Sequence, residues 1–296
     1  MSAVGLRRRR ALTAWAFMLP LLGINALVVI GPGIASLYYS FTDWSGIGGA
    51  KWIGLANYRR LLTDDDFLNA LKHNLWWTAF FLIIPMAMGL FGAFLLSRMR
   101  RFQLLFRVVY FIPYVVATVV SASIWRNLLA PDQGITALFS KLGLHWFDDV
   151  NFLGDPQLAL GSVAVVNTWQ WWGFLLVVFL AAMQGVDPTL YEAARIDGAG
   201  AWRQFTNVTL PAIRPTLMFL ALMTIVWSFL IFDYVYIMTQ GGPAGATDVL
   251  GTLMYRSAFE ENEAGYAAAV GIVLALISFV VAAGYQFLRR RRDWEI

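Results

Sequence analysis

"YEAARIDGAG", Tyr191–Gly200, decides how the whole chain is read. It lies between two long apolar runs in a chain of 296 residues that is 59% hydrophobic and 14% charged. A short turn would suffice to join two such runs. Instead, Gln184–Ala212 alternates small, acidic and basic residues. Asp187-Pro188 reads as a helix start: Asp accepts from the free N–H groups of the first turn, and Pro fits the first helical position. Thr189 with Glu192 offers a capping box one step later. The helix then runs through Tyr191–Arg195, and Gly198 and Gly200 end or bend it. A second short helix is expected from Ala201 to Val208, before Leu210-Pro211 turns the chain into the next apolar run. Ala193 and Ala194 keep one flank slim, so another protein could approach closely. Glu192 sits near a helix N-terminus, where negative charge is stabilised. On these residues alone, an interfacial amphipathic linker is the other reading.

The flanking runs set the fold class. About 20 apolar residues in a helix cross a hydrocarbon layer roughly 30 Å thick. Six stretches qualify: about Ala11–Tyr39, Leu71–Ser97, Phe106–Leu129, Leu158–Met183, Ile213–Thr239 and Tyr266–Leu288. A backbone in lipid must satisfy its own hydrogen bonds, and these runs do not alternate as barrel strands would, so helices are expected. The first run follows Arg7–Arg10 but is too long for a signal peptide's apolar core, and reads as an uncleaved helix. The expectation is an all-α membrane protein with six transmembrane helices, one domain over residues 1–296, and a mean hydropathy of +0.62 suits it. With no Cys and two His, disulfide frameworks, thiol catalysis and Cys/His zinc sites are excluded.

Charge placement gives the orientation. Of the 22 basic residues, 15 precede span 1, follow span 6, or lie between spans 2 and 3 or spans 4 and 5. These are Arg7–Arg10, Arg98, Arg100, Arg101, Arg107, Arg195, Arg203, Arg214 and Arg289–Arg292. Only five acids share that side: Asp187, Glu192, Asp197, Asp293 and Glu295. By the positive-inside tendency, both termini and the Tyr191–Gly200 loop are expected to be cytoplasmic. The outer connections Phe41–Ala70, Ala130–Gln157 and Gln240–Gly265 are short. Asp64–Asp66 and Glu260–Glu263 read there as solvated loop charges, and His73 and His145 as surface residues at the outer edges.

Several of these stretches carry a resemblance. Glu192-Ala193-Ala194, three residues, Gly198, nine residues, Val208, one residue, then Leu210-Pro211 resembles the signature loop of permease subunits of binding-protein-dependent ATP-binding-cassette importers. That pattern usually has Ile where Val208 stands. Ile196–Ala199 resembles the carbohydrate branch, the maltose-type permeases. "SFTDW" (Ser40–Trp44), "GLANYRRLL" (Gly54–Leu62), "FIPYVVATVV" (Phe111–Val120), "NTW" (Asn167–Trp169) and "TQGGPAGAT" (Thr239–Thr247) agree, and the first-permease type fits best. The resemblance implies a type I importer permease fold in a bacterial inner membrane. It makes residues 184–212 a coupling loop, with Glu192, Ala193, Ala194 and Gly198 contacting a cytoplasmic ATPase and Leu210 and Pro211 fixing the exit geometry. It also implies a second permease subunit as heterodimer partner, two ATP-binding-cassette subunits and an extracytoplasmic solute-binding protein. ATP and Mg would be used by the ATPase. This chain would bind no cofactor, perform no chemistry and contact lipid but no nucleic acid. Lys51, Lys72 and Lys141 all lack a preceding Gly, so the chain has no P-loop.

Polar residues inside a span point to a pathway. Asn167, Gln170, Trp171 and Phe174 in span 4 are spaced to share one helix face. Span 5 offers Thr224, Trp227 and Ser228, and span 3 offers Tyr114 and Thr118. An aromatic plate beside amides and hydroxyls suits a sugar, and in maltose-type permeases similar positions on these three helices line the sugar site. Helix packing or an interfacial aromatic belt would use the same residues. Asp233, toward the outer end of span 5, is expected to pair with a neighbour or cap the pathway. The path lacks Lys and Arg, so a neutral sugar or oligosaccharide is expected. A stand-alone secondary transporter or channel would need intramembrane charge relays, for which Asp233 is a thin basis. A membrane enzyme would need a catalytic constellation that the spans lack.

Overall fold

A computed structural model of the chain describes residues 3–99, 101–143, 145 and 150–291. Of the charges used for orientation, Arg100, Arg292, Asp293 and Glu295 lie outside the described residues. The described residues are helical throughout, apart from loops and an isolated bridge between Thr42 and Trp52. In order the helices are α1 (Ala3–Asn25), α2 (Gly31–Tyr39), α3 (Ala56–Leu61), α4 (Asp65–Ser97), α5 (Gln103–Val115), α6 (Thr118–Leu128), α7 (Ile135–Lys141) and α8 (Ala159–Gln184). They continue as α9 (Pro188–Ile196), α10 (Ala201–Gln204), α11 (Leu210–Ala212), α12 (Arg214–Phe229), α13 (Asp233–Met238), α14 (Leu250–Phe259) and α15 (Ala264–Arg291). π-helical turns at Ala26–Ile30 and Phe205–Thr209 join α1 to α2 and α10 to α11.

Four stretches, Trp15–Tyr39, α4, α8 and Ala264–Phe287, are each long and apolar enough to cross a membrane alone. Two further spans are bent pairs: α5 with α6, which meet at 91°, and Ala201–Ala212 with α12, which meet at 70°. Counting each pair as one span gives the six expected, and the fold is an all-α membrane fold. The breaks correct the sequence reading in detail. Span 3 is not one helix, because the backbone is extended at Val116 and helical again only at Thr118. Tyr114 and Thr118 therefore flank an elbow and do not share one continuous helix face. Span 5 breaks as well, between α12 and α13. The turn expected at Leu210-Pro211 falls later, at Ile213, because Pro211 is accommodated in the first turn of α11. Pro215 does the same for α12.

By its contacts the chain falls into two compact units, Met1–Thr63 with Met254–Val273, and Asp64–Leu253 with Leu274–Ile296. In the first, the SFTDW and GLANYRRLL stretches form one knot. Buried Asn57 donates through Nδ2 to the carbonyls of Ser40 (3.0 Å) and Thr42 (2.9 Å). Tyr39 stacks on Trp44, and Phe41 on Trp52. Glu263 was read as a solvated charge, but it pairs with Arg60 at 2.7 Å, and Arg60 also lies over the Tyr266 ring. Glu261 likewise pairs with Arg256. In a chain with few charges, these acids find the nearest guanidinium. Most of Trp15–Tyr39 is exposed, with Phe17 at 81% and Leu27 at 78%, as a surface that meets lipid or another subunit would be.

The second unit is built on α8, the span with the largest buried share, 56% of its most apolar stretch. Leu175, Leu176, Phe179 and Leu180 are fully buried in it. α4 and α5 pack along it. Gly173 lets α5 approach so closely that a Cβ there would overlap the Tyr110 carbonyl oxygen. Gly173→Ala is therefore expected to destabilise the protein by about 1–3 kcal/mol through overpacking. The check is a lowered melting temperature in detergent together with less protein accumulated in the membrane.

Asn74, fully buried on α4, ties the top of this unit together. Its Nδ2 donates to the Ser228 carbonyl (2.9 Å), and its Oδ1 accepts the Leu250 N–H (2.8 Å). His73 is only partly exposed, and its Nδ1 lies 2.7 Å from the Asp248 carbonyl. The TQGGPAGAT loop closes on itself: Thr247 Oγ1 donates to the Gly242 carbonyl (2.7 Å) and meets Thr239 Oγ1 at 2.8 Å.

Candidate functional site

Two features of the second unit have the form of working sites. The first is a cavity of about 540 Å³ between α4, α8, the elbow of span 3 and the break of span 5. Of the pathway residues named from sequence, Tyr114, Thr118, Asn167 and Gln170 line it, as do Trp171, Thr224, Trp227 and Ser228. Phe174 does not. It stands one turn further along α8, stacked on Tyr114 with ring centres 4.8 Å apart, and supports the wall from behind. Trp171 meets Trp227 edge-on at 4.4 Å and Phe174 at 5.1 Å, so the indole is held in place by aromatic contact.

The polar atoms of the wall divide into two sets. Ser228 Oγ donates to the Thr224 carbonyl (2.7 Å), and both ends of the Gln170 amide are bonded to protein groups. By contrast, Trp171 Nε1 and Thr224 Oγ1 are buried without a hydrogen-bond partner among the described residues. Buried donors in native proteins are almost always paired, so two orphans in one cavity wall mark places a ligand can satisfy. No Lys or Arg lines the cavity among the described residues, and its one carboxylate is Asp233, exposed at the start of α13. Asp233 thus faces the pathway. Sequence reasoning missed Trp77 and Phe81 of α4, which complete the aromatic lining. Both sit in an unbroken apolar run, where nothing distinguishes a cavity wall from core.

The second feature is the Gln184–Ala212 connection. Asp187 caps α9, its carboxylate accepting the Thr189 N–H at 2.9 Å, with Pro188 in the first turn. Of the two helix starts read from sequence, this is the one formed. The Thr189 backbone bond, and then the Thr189 side chain, hold the Asp187 carboxyl below its ordinary value of 3.8. A lowered pKa means that the cap's contribution is present above that value and lost only as pH falls through the depressed one. α9 ends in a Schellman motif. Gly198 takes φ +71, its N–H reaches the Arg195 carbonyl (3.1 Å), and the Ala199 N–H reaches that of Ala194 (2.9 Å). Gly200 is extended, not left-handed, and starts α10.

This loop is fastened to the unit at few points. Arg98 Nη2 donates to the Ala201 carbonyl and Arg107 Nη2 to Gln184 Oε1, each at 2.9 Å, while within the loop Tyr191 Oη meets buried Thr209 Oγ1 at 2.9 Å. Phe94 packs on Phe205 and Trp202. Glu192, Ala193 and Gly198 are exposed and Ala194 half-buried, while Leu210 is half-buried and Pro211 exposed. Ile196 is 87% exposed, Leu190 49% and Trp202 61%, so the loop leaves apolar side chains open as well as Glu192.

Comparisons with known proteins place the chain in a family. Residues 85–294 match the model of the family described as binding-protein-dependent transport system inner membrane component. A probable ABC transporter permease protein of Pyrococcus horikoshii is 33% identical over 275 residues, covering 92% of this chain and 93% of the relative. The diacetylchitobiose uptake system permease protein NgcF of Streptomyces coelicolor is 33% identical over 297 residues, covering 94% of this chain and 84% of the relative. The fold matches that of a chain in the crystal structure of a bacterial ABC transporter involved in the import of the acidic polysaccharide alginate. There the TM-score is 0.86 at 24% identity, over 99% of this chain and 100% of that one. By this family match and these relatives, the chain belongs to the family of binding-protein-dependent transport system inner membrane components, the permease subunits of ABC transporters.

Proposed function

We propose that this chain is the first of two permease subunits in an ATP-driven importer of neutral sugars or oligosaccharides, and forms half of the translocation path. The single observation that carries the cargo assignment is the cavity wall: an aromatic plate around two buried, unpaired polar atoms, Trp171 Nε1 and Thr224 Oγ1. A sugar ring offers C–H groups to the plate and hydroxyls to those two atoms. With Asp233 as the only charge in the lining among the described residues, an anionic cargo would meet repulsion and no cation there. The relative NgcF, named for diacetylchitobiose uptake, supports the sugar class. Tyr114, Thr118, Asn167, Gln170, Trp227 and Ser228 complete the wall, with Phe174 behind it.

In this reading Glu192, Ala193, Ala194 and Gly198 meet a cytoplasmic ATPase, and Leu210 and Pro211 set the exit of the lever. Both termini lie in the cytoplasm, and residues 1–296 act as one permease domain. A solute-binding protein delivers the sugar from outside, and ATP and Mg are used by two ATPase subunits. This chain contributes no catalytic group and holds no cofactor. The test is reconstitution in sealed vesicles with the partner permease, the ATPase and the binding protein. Uptake should require ATP inside and the binding protein outside, and should favour neutral over uronic sugars. Uptake driven by a proton or sodium gradient without ATP would refute the reading.

A further inference from the structure

The satisfied half of the cavity wall has its own logic. α5 ends at Val115, Val116 after it is extended with ψ 132°, and α6 begins at Thr118 beyond the 91° elbow. An elbow inside a span frees carbonyls from the helical ladder, and in hydrocarbon each must find a donor within the protein. The Val116 carbonyl accepts Nε2–H of Gln170 at 2.7 Å. The other end of the same amide, Oε1, accepts the hydroxyl proton of Tyr234. That hydroxyl also lies 3.0 Å from Ser121 Oγ on α6. Gln170 is 7% exposed, and Ser121 and Tyr234 are each 1% exposed, so water does not compete. Tyr234 belongs to α13, the fragment beyond the break in span 5. One amide on unbroken α8 therefore joins the elbow of span 3 to the outer fragment of span 5. The inner half of span 3 is fixed differently, by the backbone approach at Gly173.

We propose that Gln170 is a positioning residue that pins the two broken spans to α8, and that it holds the shape of the cavity instead of gripping the cargo. Both amide ends are occupied, unlike Trp171 Nε1 and Thr224 Oγ1 beside it. Val115–Thr118 and Leu230–Tyr234, which the pin joins, both belong to the cavity lining. The consequence for transport rests on the importer reading; the pin itself does not.

The chain has no Cys, so paired spin labels can be placed cleanly. Labels at Leu104 and Leu128, 73% and 38% exposed, report the elbow in the complete transporter. At 1.5 Å per residue the two sites are roughly 25 Å apart across a right angle, and would be roughly 35 Å apart if the span were straight. The parent should give a narrow distribution near the shorter value. Gln170→Leu should broaden it or lengthen it by several ångströms, and Tyr234→Phe should act in the same direction. The double variant should go no further, since partners in one network are not additive. Thr168→Val, which removes another buried hydroxyl from α8, is the control and should leave the distribution as it was. An unchanged distribution in Gln170→Leu, or effects of the two variants that simply add, overturns the proposal. If Gln170→Leu does not accumulate, Tyr234→Phe, which removes one hydroxyl, decides it: no change in distance sinks the pin. Failure of the importer reading would show separately, as a parent complex whose ATP hydrolysis ignores the binding protein.

Discussion

Glu192→Lys should leave the protein in the membrane at the parent level while cutting ATP hydrolysis stimulated by the loaded binding protein by about tenfold or more, or ~1.4 kcal/mol of coupling. The substitution touches nothing that holds the fold. Glu192 is exposed on α9, with no ion pair or hydrogen bond to the rest of the protein among the described residues. Its neighbours Ala193 and Ile196 are also exposed. A charge reversed on a contact face is opposed by whatever complements the native charge, and loss of a complementary pair at an interface weakens it strongly. Gly198→Val should give a similar loss by another route. A β-branched residue at φ +71 is disfavoured by about 1–2 kcal/mol, and the Schellman turn that aims α9 would give way. Quantitative immunoblotting of membranes and a phosphate-release assay on the purified complex together check both variants. Parent-level stimulation by either would show that this helix is not the handle.

The loop was readable from sequence because its signals are local. Asp187-Pro188 and Gly198 each act within a few residues of themselves, and the structure uses both. The spans were readable for a similar reason, since length and hydropathy alone decide them. The elbow at Val116–Ala117 was not. "YVVAT" is as apolar as any helix interior here, and the amide that satisfies the broken backbone comes from Gln170, far along the chain. The turn into span 5 was placed at the wrong proline. Pro211 and Pro215, four residues apart, each start a helix, α11 and α12, and the chain turns at Ile213 between them, which neither proline marks by itself. Helical spacing put Asn167, Gln170 and Trp171 on one face, and all three line one cavity. It put Phe174 there too, because a face several residues long outruns a cavity that ends one turn sooner. The pairing of Glu263 with Arg60 depends on how distant segments meet, which charge counting does not contain, whereas Glu261 pairs with Arg256 only five residues away.

Trp171→Ala should have the opposite signature to Glu192→Lys. Sugar uptake should fall by about thirtyfold, the ~2 kcal/mol typical of a buried aromatic anchor, while ATP hydrolysis stimulated by the binding protein stays within about twofold of the parent. The indole supplies a flat surface held by Trp227 and Phe174, and an N–H that has no partner among the described residues. Trp171→Phe separates these two contributions. It keeps the plate and removes the donor, so it should lose only the ~1 kcal/mol of one hydrogen bond, about fivefold in uptake. Thr224→Val, which keeps the shape and removes the second orphan hydroxyl, should match that loss. Three variants thus rank as plate, then either polar atom, whereas a wall that merely packs helices would rank them by lost volume. In that case Trp171→Ala would lower stability and stimulated ATP hydrolysis together, and Trp171→Phe and Thr224→Val would be silent in uptake. Measuring uptake and hydrolysis on the same vesicles distinguishes the outcomes, because Trp171 sits at the middle of α8, roughly 20 Å along the helix from the loop that follows Gln184.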